Sequence, residues 1–423
     1  MHTPYRFDAT HKSFPATATP ANAPELARRG WNVLADDLAF PIATIVQSAL
    51  AHNLAWMQAY AQRKGVWLAP HGKTTMSPEL FALQLGAGAW GLTFATVWQA
   101  QVGVQAGARR IIIANQVLAD ADLDALDALL AATAALQVYF LVDSVAQLAC
   151  IEDWRVRRGS LRVFEVLLEM GFDGGRTGCR TLEQAQALAL ALHASPAVAL
   201  CGIECYEGQL GTCDSAHDTA AVAPLVARVQ ALLHWCDERG LIAGEQTLVS
   251  AGGSAIFDLV LPLLQAIALQ KPLQGVLRSG CYITHDQGHY RRYLQLLEQR
   301  EGLQSSLLPA LEVWALVQSV PEPGLALLSC GRRDISSDIE MPLPQRWAPR
   351  GERSAQAAPA QWKVSALNDQ HAYLRFDPQA AVPAVGDRVA LGLSHPCTTF
   401  DKWRWMPLVD DAYAVCGAIH TCF

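Results

Sequence analysis

Charge is scarce in this chain. Only 17% of its residues are Asp, Glu, Lys or Arg, and they sum to a net charge of −7. Nucleic-acid binding needs clustered Lys and Arg, so this balance argues against it. No apolar run approaches the ~20 residues of a membrane span. The N-terminal stretch MHTPYRFDATHKSFPATATPANAP has no apolar middle of the kind a signal peptide needs, and it reads as a mobile polar arm. The eleven cysteines are scattered and include no CxxC pair. An odd, dispersed set fits a reduced, cytoplasmic chain in which each cysteine is by default a small buried hydrophobe. There is no GxxxxGK[ST] loop, no internal repeat and no low-complexity tract.

What is present is apolar and alternating. Half of the 423 residues are hydrophobic, enough for one large α/β domain with a smaller companion. Eight strand-like runs occur in order: VWLAP (66–70), AWGLTF (89–94), RIIIAN (110–115), LQVYFLV (136–142), LRVFEVLLEM (161–170), VALCGIEC (198–205), QTLVS (246–250) and GVLRSG (275–280). Between them lie Ala/Leu/Gln-rich segments with helical spacing, such as TLEQAQALALALH (181–193). Continuous apolar strands separated by helices indicate a parallel sheet buried on both faces. Eight such units predict a (β/α)8 barrel, with an open doubly wound sheet as the alternative. AFPIATIVQ (39–47) predicts a strand, followed by a helix over 48–63. After the barrel, six strand-like runs (311–320, 324–330, 361–367, 371–376, 387–393 and 412–418) follow without helices. They predict a C-terminal antiparallel β-domain completed by the N-terminal strand. The expected division is an arm and strand over 1–47, the barrel over 48–295 and the β-domain over 296–423. The Pro-rich, polar stretch 332–360 reads as a long loop.

In a (β/α)8 barrel, chemistry gathers at the C-terminal ends of the strands. Five strand ends here carry reactive or anion-binding groups: His71 and Lys73; Arg176 in GFDGGRTG; Tyr206 and Glu207; SAGGS (250–254); and RSGCY (278–282). A lysine is ordinarily a solvated surface charge. Lysine is sparse here, however, and the strand-end position of Lys73 favours a reactive role. SAGGSAIFD reads as strand, glycine turn and helix start, where backbone N–H groups can meet an anion. Alone it is equally well a plain turn. Paired with Ser279-Gly280-Cys281 on the next strand, it becomes a phosphate site, as barrels commonly build after strands 7 and 8. A lysine facing a phosphate site suggests a cofactor with both an aldehyde and a phosphate, which is pyridoxal phosphate.

Taken together and in order, APHGKTT (69–75), GGRTG (174–178), CYEG (205–208), SAGGS (250–254), LRSGCYITHD (277–286) and SHPC (394–397) resemble the D-serine dehydratase/D-threonine aldolase family. These are alanine-racemase-like, fold-type III pyridoxal-phosphate enzymes. The resemblance runs from about residue 38 to the C-terminus. It implies a homodimer in which Lys73 is the Schiff-base lysine and His71 a catalytic neighbour. Arg176 matches the arginine near the cofactor hydroxyl, Tyr206 lies beside the ring and Arg278 stands at the pyridine nitrogen. Gly252, Gly253, Ser254, Gly280, Cys281 and Tyr282 line the cofactor and its phosphate. Two positions depart from the family. Ala69 replaces an arginine, and Thr75 stands where many relatives carry a histidine.

The same resemblance assigns a metal to His395 and Cys397. Residues two apart on an extended segment share a side, so imidazole and thiolate can converge. Without the resemblance, the pair would read as a surface histidine beside a buried cysteine. Imidazole plus thiolate is a zinc set, with manganese the alternative. Aldolase relatives resemble a His-x-Asp pattern instead, so Cys397 directs the expectation to a zinc-dependent dehydratase. The expected reaction dehydrates D-serine or a close analogue, and hydrolysis of the enamine so formed gives a 2-oxo acid and ammonia. The rival is a retro-aldol cleavage of D-threonine-like substrates to glycine and an aldehyde. A non-catalytic pyridoxal-phosphate carrier is the reading from another class. Asp401 and His420 are candidate helpers without a specific role. The partners implied are a small D-amino acid and a second copy of the chain, with no nucleic acid and no membrane.

Overall fold

The computed structural model describes residues 5–265 and 267–423. Eight parallel strands form one sheet: β2 (Trp67–Leu68), β3 (Leu92–Phe94), β4 (Arg110–Gln116), β5 (Gln137–Val142), β6 (Phe164–Met170), β7 (Val198–Cys205), β8 (Thr247–Ala251) and β9 (Leu273–Leu277), in the order β2-β9-β8-β7-β6-β5-β4-β3. The two ends meet where Trp90 N–H donates to Leu68 O at 2.8 Å and Thr93 N–H donates to Pro70 O at 2.9 Å, closing the barrel. Helices cover its outside. That of Val145–Arg158 starts on a Ser144 side-chain cap and stops at Gly159, which adopts the left-handed conformation at φ 62°. That of Leu182–Ala194 opens with a Thr181/Gln184 capping box.

Within each strand, alternation divides the residues between two cores. Ile112, Tyr139, Leu141, Leu167, Leu248 and Val276 fill the barrel interior. Their neighbours Ile111, Ile113, Phe140, Leu168, Val249 and Leu277 pack under the helices. This double burial is why the strands read as unbroken apolar runs.

The remaining strands form the second sheet: β1 (Ile42–Val46), β10 (Leu311–Glu322), β11 (Leu325–Leu328), β12 (Leu343–Ala348), β13 (Gln356–Ala357), β14 (Lys363–Leu367), β15 (Ala372–Arg375), β16 (Arg388–Gly392), β17 (Trp405–Val409) and β18 (Val415–His420). β1 pairs antiparallel with β10 and parallel with β17, so the N-terminal strand is inside this sheet.

Three expectations change. The N-terminal arm is docked from residue 5 on, while residues 1–4 lie outside the described set. Phe7 and Phe14 are buried in a core with Leu26, Ile42, Trp314 and Trp405. Each such phenylalanine contributes on the order of 1.5–3 kcal/mol, which outweighs the polar character of the residues around it. The fully buried Arg388 staples the next segment down, donating to Leu34 O at 2.5 Å and Pro349 O at 2.8 Å. Residues 332–360 are not all loop: β12 pairs with β16, and β13 pairs with β12. Pro344 hid this strand, and the pairing accommodates it with a register shift between Pro344 and Arg346. Finally, β17 did not read as a strand because Pro407 interrupts it.

Candidate active site

The interior parity of the strands, continued by two residues, builds the floor of the C-terminal mouth. Leu167 leads to Glu169, Leu248 to Ser250, Val276 to Arg278 and Ala69 to His71. β7 reaches the same level through a register shift, so that Leu167 pairs with Gly202 and Glu169 with Glu204. A Cβ at Gly202 would lie 1.7 Å from Leu248 O, so only glycine allows β7 and β8 to approach this closely.

Arg278 anchors the floor. Its guanidinium is buried, pairs with Glu204, and donates to Cys205 O at 3.1 Å and Ser250 Oγ at 3.4 Å. Burial by itself would lower its pKa, and the Glu204 and Glu207 carboxylates more than compensate. Glu204 is 1% exposed, and its Oε2 has no partner among the described residues. Burial pushes its carboxyl up to about 7, against the opposing pull of Arg278. Glu169 is also raised by burial, although Thr177 Oγ1 donates to it at 2.6 Å and Gln116 Nε2 at 2.5 Å.

Above this floor, Lys73 stands exposed on the single turn Gly72–Thr74. His71 and Lys73 face Arg176, Tyr206, Gly252, Gly253 and Arg278 across a cleft with about 670 Å³ of empty space, its open mouth included. The Nδ1 of His71 is buried without a partner among the described residues. Its pKa is held well below the ordinary value, first by burial and then by the charges of Lys73, Arg278 and Arg176. The imidazole is therefore neutral at neutral pH. The Arg176 guanidinium lies 5.2 Å from the centre of the Tyr206 ring. The Tyr206 hydroxyl is pushed up to about 12, mainly by burial and then by Glu207, and keeps its proton.

The two glycine turns touch. Ser279 Oγ donates to Gly253 O, and Cys281 N–H donates to Ser254 Oγ at 3.2 Å. A Cβ at Gly280 would sit 2.5 Å from His71 O, so the turn after β9 fits against the lysine turn only as glycine. The expectation that the Gly252 and Gly253 amides await an anion is corrected. Both donate to the buried Glu207 carboxylate, at 3.0 and 2.7 Å. Tyr282 is a second correction. Its buried hydroxyl accepts from Gln84 Nε2 at 3.2 Å, and its ring belongs to the core instead of the cleft.

The C-terminal pair arrives from the β-domain. The segment is not extended: Pro396 adopts αR angles and the helix Cys397–Phe400 begins there, so His395 and Cys397 do not share a side by strand alternation. Instead, Cys397 Sγ reaches the lysine turn, 3.4 Å from Thr74 Oγ1 and 3.7 Å from Cys281 Sγ. Its thiol pKa is lowered chiefly by Cys281, with Thr74 and the Lys73 charge adding to the effect against burial. Cys281 is pushed well above its ordinary value, by Cys397 and by burial. His395 Nδ1 lies 2.5 Å from Asp338 Oδ2. Among the described residues, no group of three or more His, Cys, Asp or Glu side chains is assembled to hold a metal ion. Asp401 pairs with Lys402, and His420 pairs with Glu79 at 2.7 Å and stacks on Tyr5, so neither joins the cleft.

Sequence reading missed Glu169, Glu204 and Asp338. Strand parity from Leu167 was a usable signal for Glu169. Glu204 needed the register shift, and Asp338 left no signal at all.

The chain matches two family descriptions: the alanine racemase N-terminal domain over residues 45–265 and a putative serine dehydratase domain over residues 310–409. It is 30% identical to a D-threonine aldolase of Arthrobacter sp. over 361 residues, covering 85% of this chain and 86% of that one. Its fold is similar to that of a D-threonine aldolase of Filomicrobium marinum, with TM-score 0.77 and 24% identity over 94% of this chain and 98% of that one. It is also similar to a D-threo-3-hydroxyaspartate dehydratase solved as a cysteine-to-alanine variant in the metal-free form, with TM-score 0.69 and 23% identity over 92% of this chain and 99% of that one.

Proposed function

Because the chain belongs to the D-serine dehydratase/D-threonine aldolase family and is a pyridoxal-phosphate-dependent lyase of β-hydroxy D-amino acids, we propose that it is a metal-dependent dehydratase releasing a 2-oxo acid and ammonia. The observation that carries this reading is Cys397 Sγ beside the lysine turn, 3.4 Å from Thr74 Oγ1. Sulfur from Cys397 beside the lysine turn, with the imidazole of His395 two positions earlier, would suit zinc, which would supply Lewis-acid help to a departing hydroxide. A manganese ion would prefer harder oxygen ligands. With two protein ligands, the remaining positions would fall to water and substrate.

The cleft also suits the cofactor. Lys73 is exposed, His71 Nδ1 has no partner among the described residues, and two arginines face the same space. Pyridoxal phosphate would supply an electron sink for the bond broken at Cα. Lys73 would carry it, with Arg278 at the ring nitrogen, Arg176 at the ring hydroxyl and Tyr206 along its side. Ser254, Gly280 and Cys281 would serve the phosphate, while Glu207 braces Gly252 and Gly253. Once the substrate amine has displaced it from the cofactor, the freed Lys73 Nζ would take the Cα proton. Neutral His71 would accept a hydrogen bond from the substrate, which offsets the missing histidine at Thr75. We place the enzyme in the cytoplasm as a homodimer, and no helix of the described residues is long and apolar enough to cross a membrane.

A retro-aldol reading is favoured by the 30% identity to a D-threonine aldolase. Product analysis separates the two. Zinc-loaded enzyme given D-serine, D-threonine and D-threo-3-hydroxyaspartate should yield 2-oxo acid and ammonium. Glycine plus an aldehyde from the same panel would replace dehydration with aldol cleavage.

A further inference from the structure

Asp338 lies in the segment between β11 and β12 that the sequence presented as plain loop. That segment is pinned along the turn carrying the candidate metal ligands. Ser336 N–H donates to Thr399 Oγ1 at 3.1 Å, and Glu340 N–H donates to Ser394 Oγ at 3.2 Å. Between these two ties, Asp338 grips the turn with both carboxylate oxygens. Oδ1 accepts from Thr398 Oγ1 at 2.8 Å, and Oδ2 lies 2.5 Å from His395 Nδ1. The grip therefore flanks Cys397 on both sides.

A surface aspartate–histidine pair ordinarily contributes little, and Asp338 is 44% exposed. Its geometry, however, has a consequence that stability does not measure. A carboxylate on Nδ1 makes that nitrogen the N–H donor and leaves the lone pair on Nε2. Metal-binding histidines are typically held this way by an outer partner that fixes ring orientation and tautomer.

Resting on the reading that His395 and Cys397 hold a metal, we propose that Asp338 is the positioning residue of that site. It selects Nε2 of His395 as the ligating atom, and through Thr398 it sets the turn that presents Cys397.

The test uses cofactor-loaded enzyme stripped of metal and titrated with cobalt(II), read by its visible bands, and with zinc, read by competition against a chromogenic chelator. Wild type should bind one ion per chain with a sulfur-to-cobalt charge-transfer band. Asp338→Ala should weaken binding by roughly 10–100-fold while keeping that band, because Cys397 is untouched. Asp338→Asn retains an acceptor for Nδ1–H and should lose less. Wild-type binding with unchanged affinity in Asp338→Ala would overturn the positioning role and leave the metal reading intact. Failure of wild type to bind either ion, with no sulfur band, would overturn the metal reading and the positioning role together. Thermal melts of the metal-free variants check the fold, and equal melting temperatures assign any affinity loss to the site.

Discussion

The barrel has two mouths of similar size and different chemistry. The cleft at the C-terminal end of the strands encloses about 670 Å³ and gathers His71, Lys73, Arg176, Arg278, Glu169 and Glu204. The cavity at the other end encloses about 770 Å³ and is lined by Arg110, Gln137, Glu165, Cys201, Gln246 and Gln274, with Trp90 and Tyr139. The larger cavity is the chemically quieter one. Its Arg110 sits 5.6 Å above the Trp90 ring, and burial pushes its Cys201 thiol up to about 12, so that thiol stays protonated. Volume alone does not make a site. What distinguishes the C-terminal mouth is convergence: an exposed amine, a neutral imidazole, and a buried ion pair with one oxygen unpartnered among the described residues.

The contrast between the two mouths turns first on Lys73. Lys73→Ala should lower kcat/KM by roughly 10⁴-fold or more and abolish the visible absorption of lysine-bound cofactor, while Gln246→Ala at the other mouth should leave kcat/KM within about twofold. Steady-state rates and absorption spectra of the two variants check this. Next comes the floor. Arg278→Gln strands Glu204 in a buried site and should cost about 3–5 kcal/mol in urea unfolding, whereas Arg110→Gln should cost less than about 1 kcal/mol.

A smaller effect sharpens the electrostatics of the same mouth. The folded-state pKa of Glu204 is raised from 4.5 to about 7. Its proton therefore favours the fold below 4.5, and that contribution is lost as pH rises through about 7. Glu204→Gln should flatten the fall in stability across this window, measured by urea titrations at stepped pH. The smallest effect lies outside both mouths. Burial would lower His420, but Cys422 and Glu79 outweigh it and raise the imidazole from 6.5 to about 9. Its stabilisation is complete below 6.5 and lost as pH rises through about 9. His420→Gln should thus cost on the order of 1 kcal/mol near pH 6 and almost nothing near pH 10, with activity unchanged.

Much of the fold was legible because double burial writes itself as apolar runs, and all eight barrel strands fall within or beside those runs. The β-domain was less legible. Pro344 and Pro407 masked β12 and β17, and the polar residues of the arm masked the anchoring of Phe7 and Phe14. The cleft residues that follow a strand end directly, Lys73, Arg176, Tyr206 and Arg278, were readable from position alone. Others depended on contacts no local pattern encodes. Glu204 depends on the register shift at Gly202, Cys397 meets Thr74 across 323 positions of chain, and Asp338 meets His395 across 57. Tyr282 shows the converse: it is part of the RSGCY motif, yet its side chain belongs to the core.

The central claim is that the C-terminal mouth carries its cofactor on one amine. Borohydride reduction of the cofactor-loaded enzyme, followed by peptide mass mapping, tests it most directly. A single pyridoxyl adduct is expected, on the peptide containing Lys73. An adduct on any other lysine, or none on a protein that shows the cofactor's absorption, would contradict it.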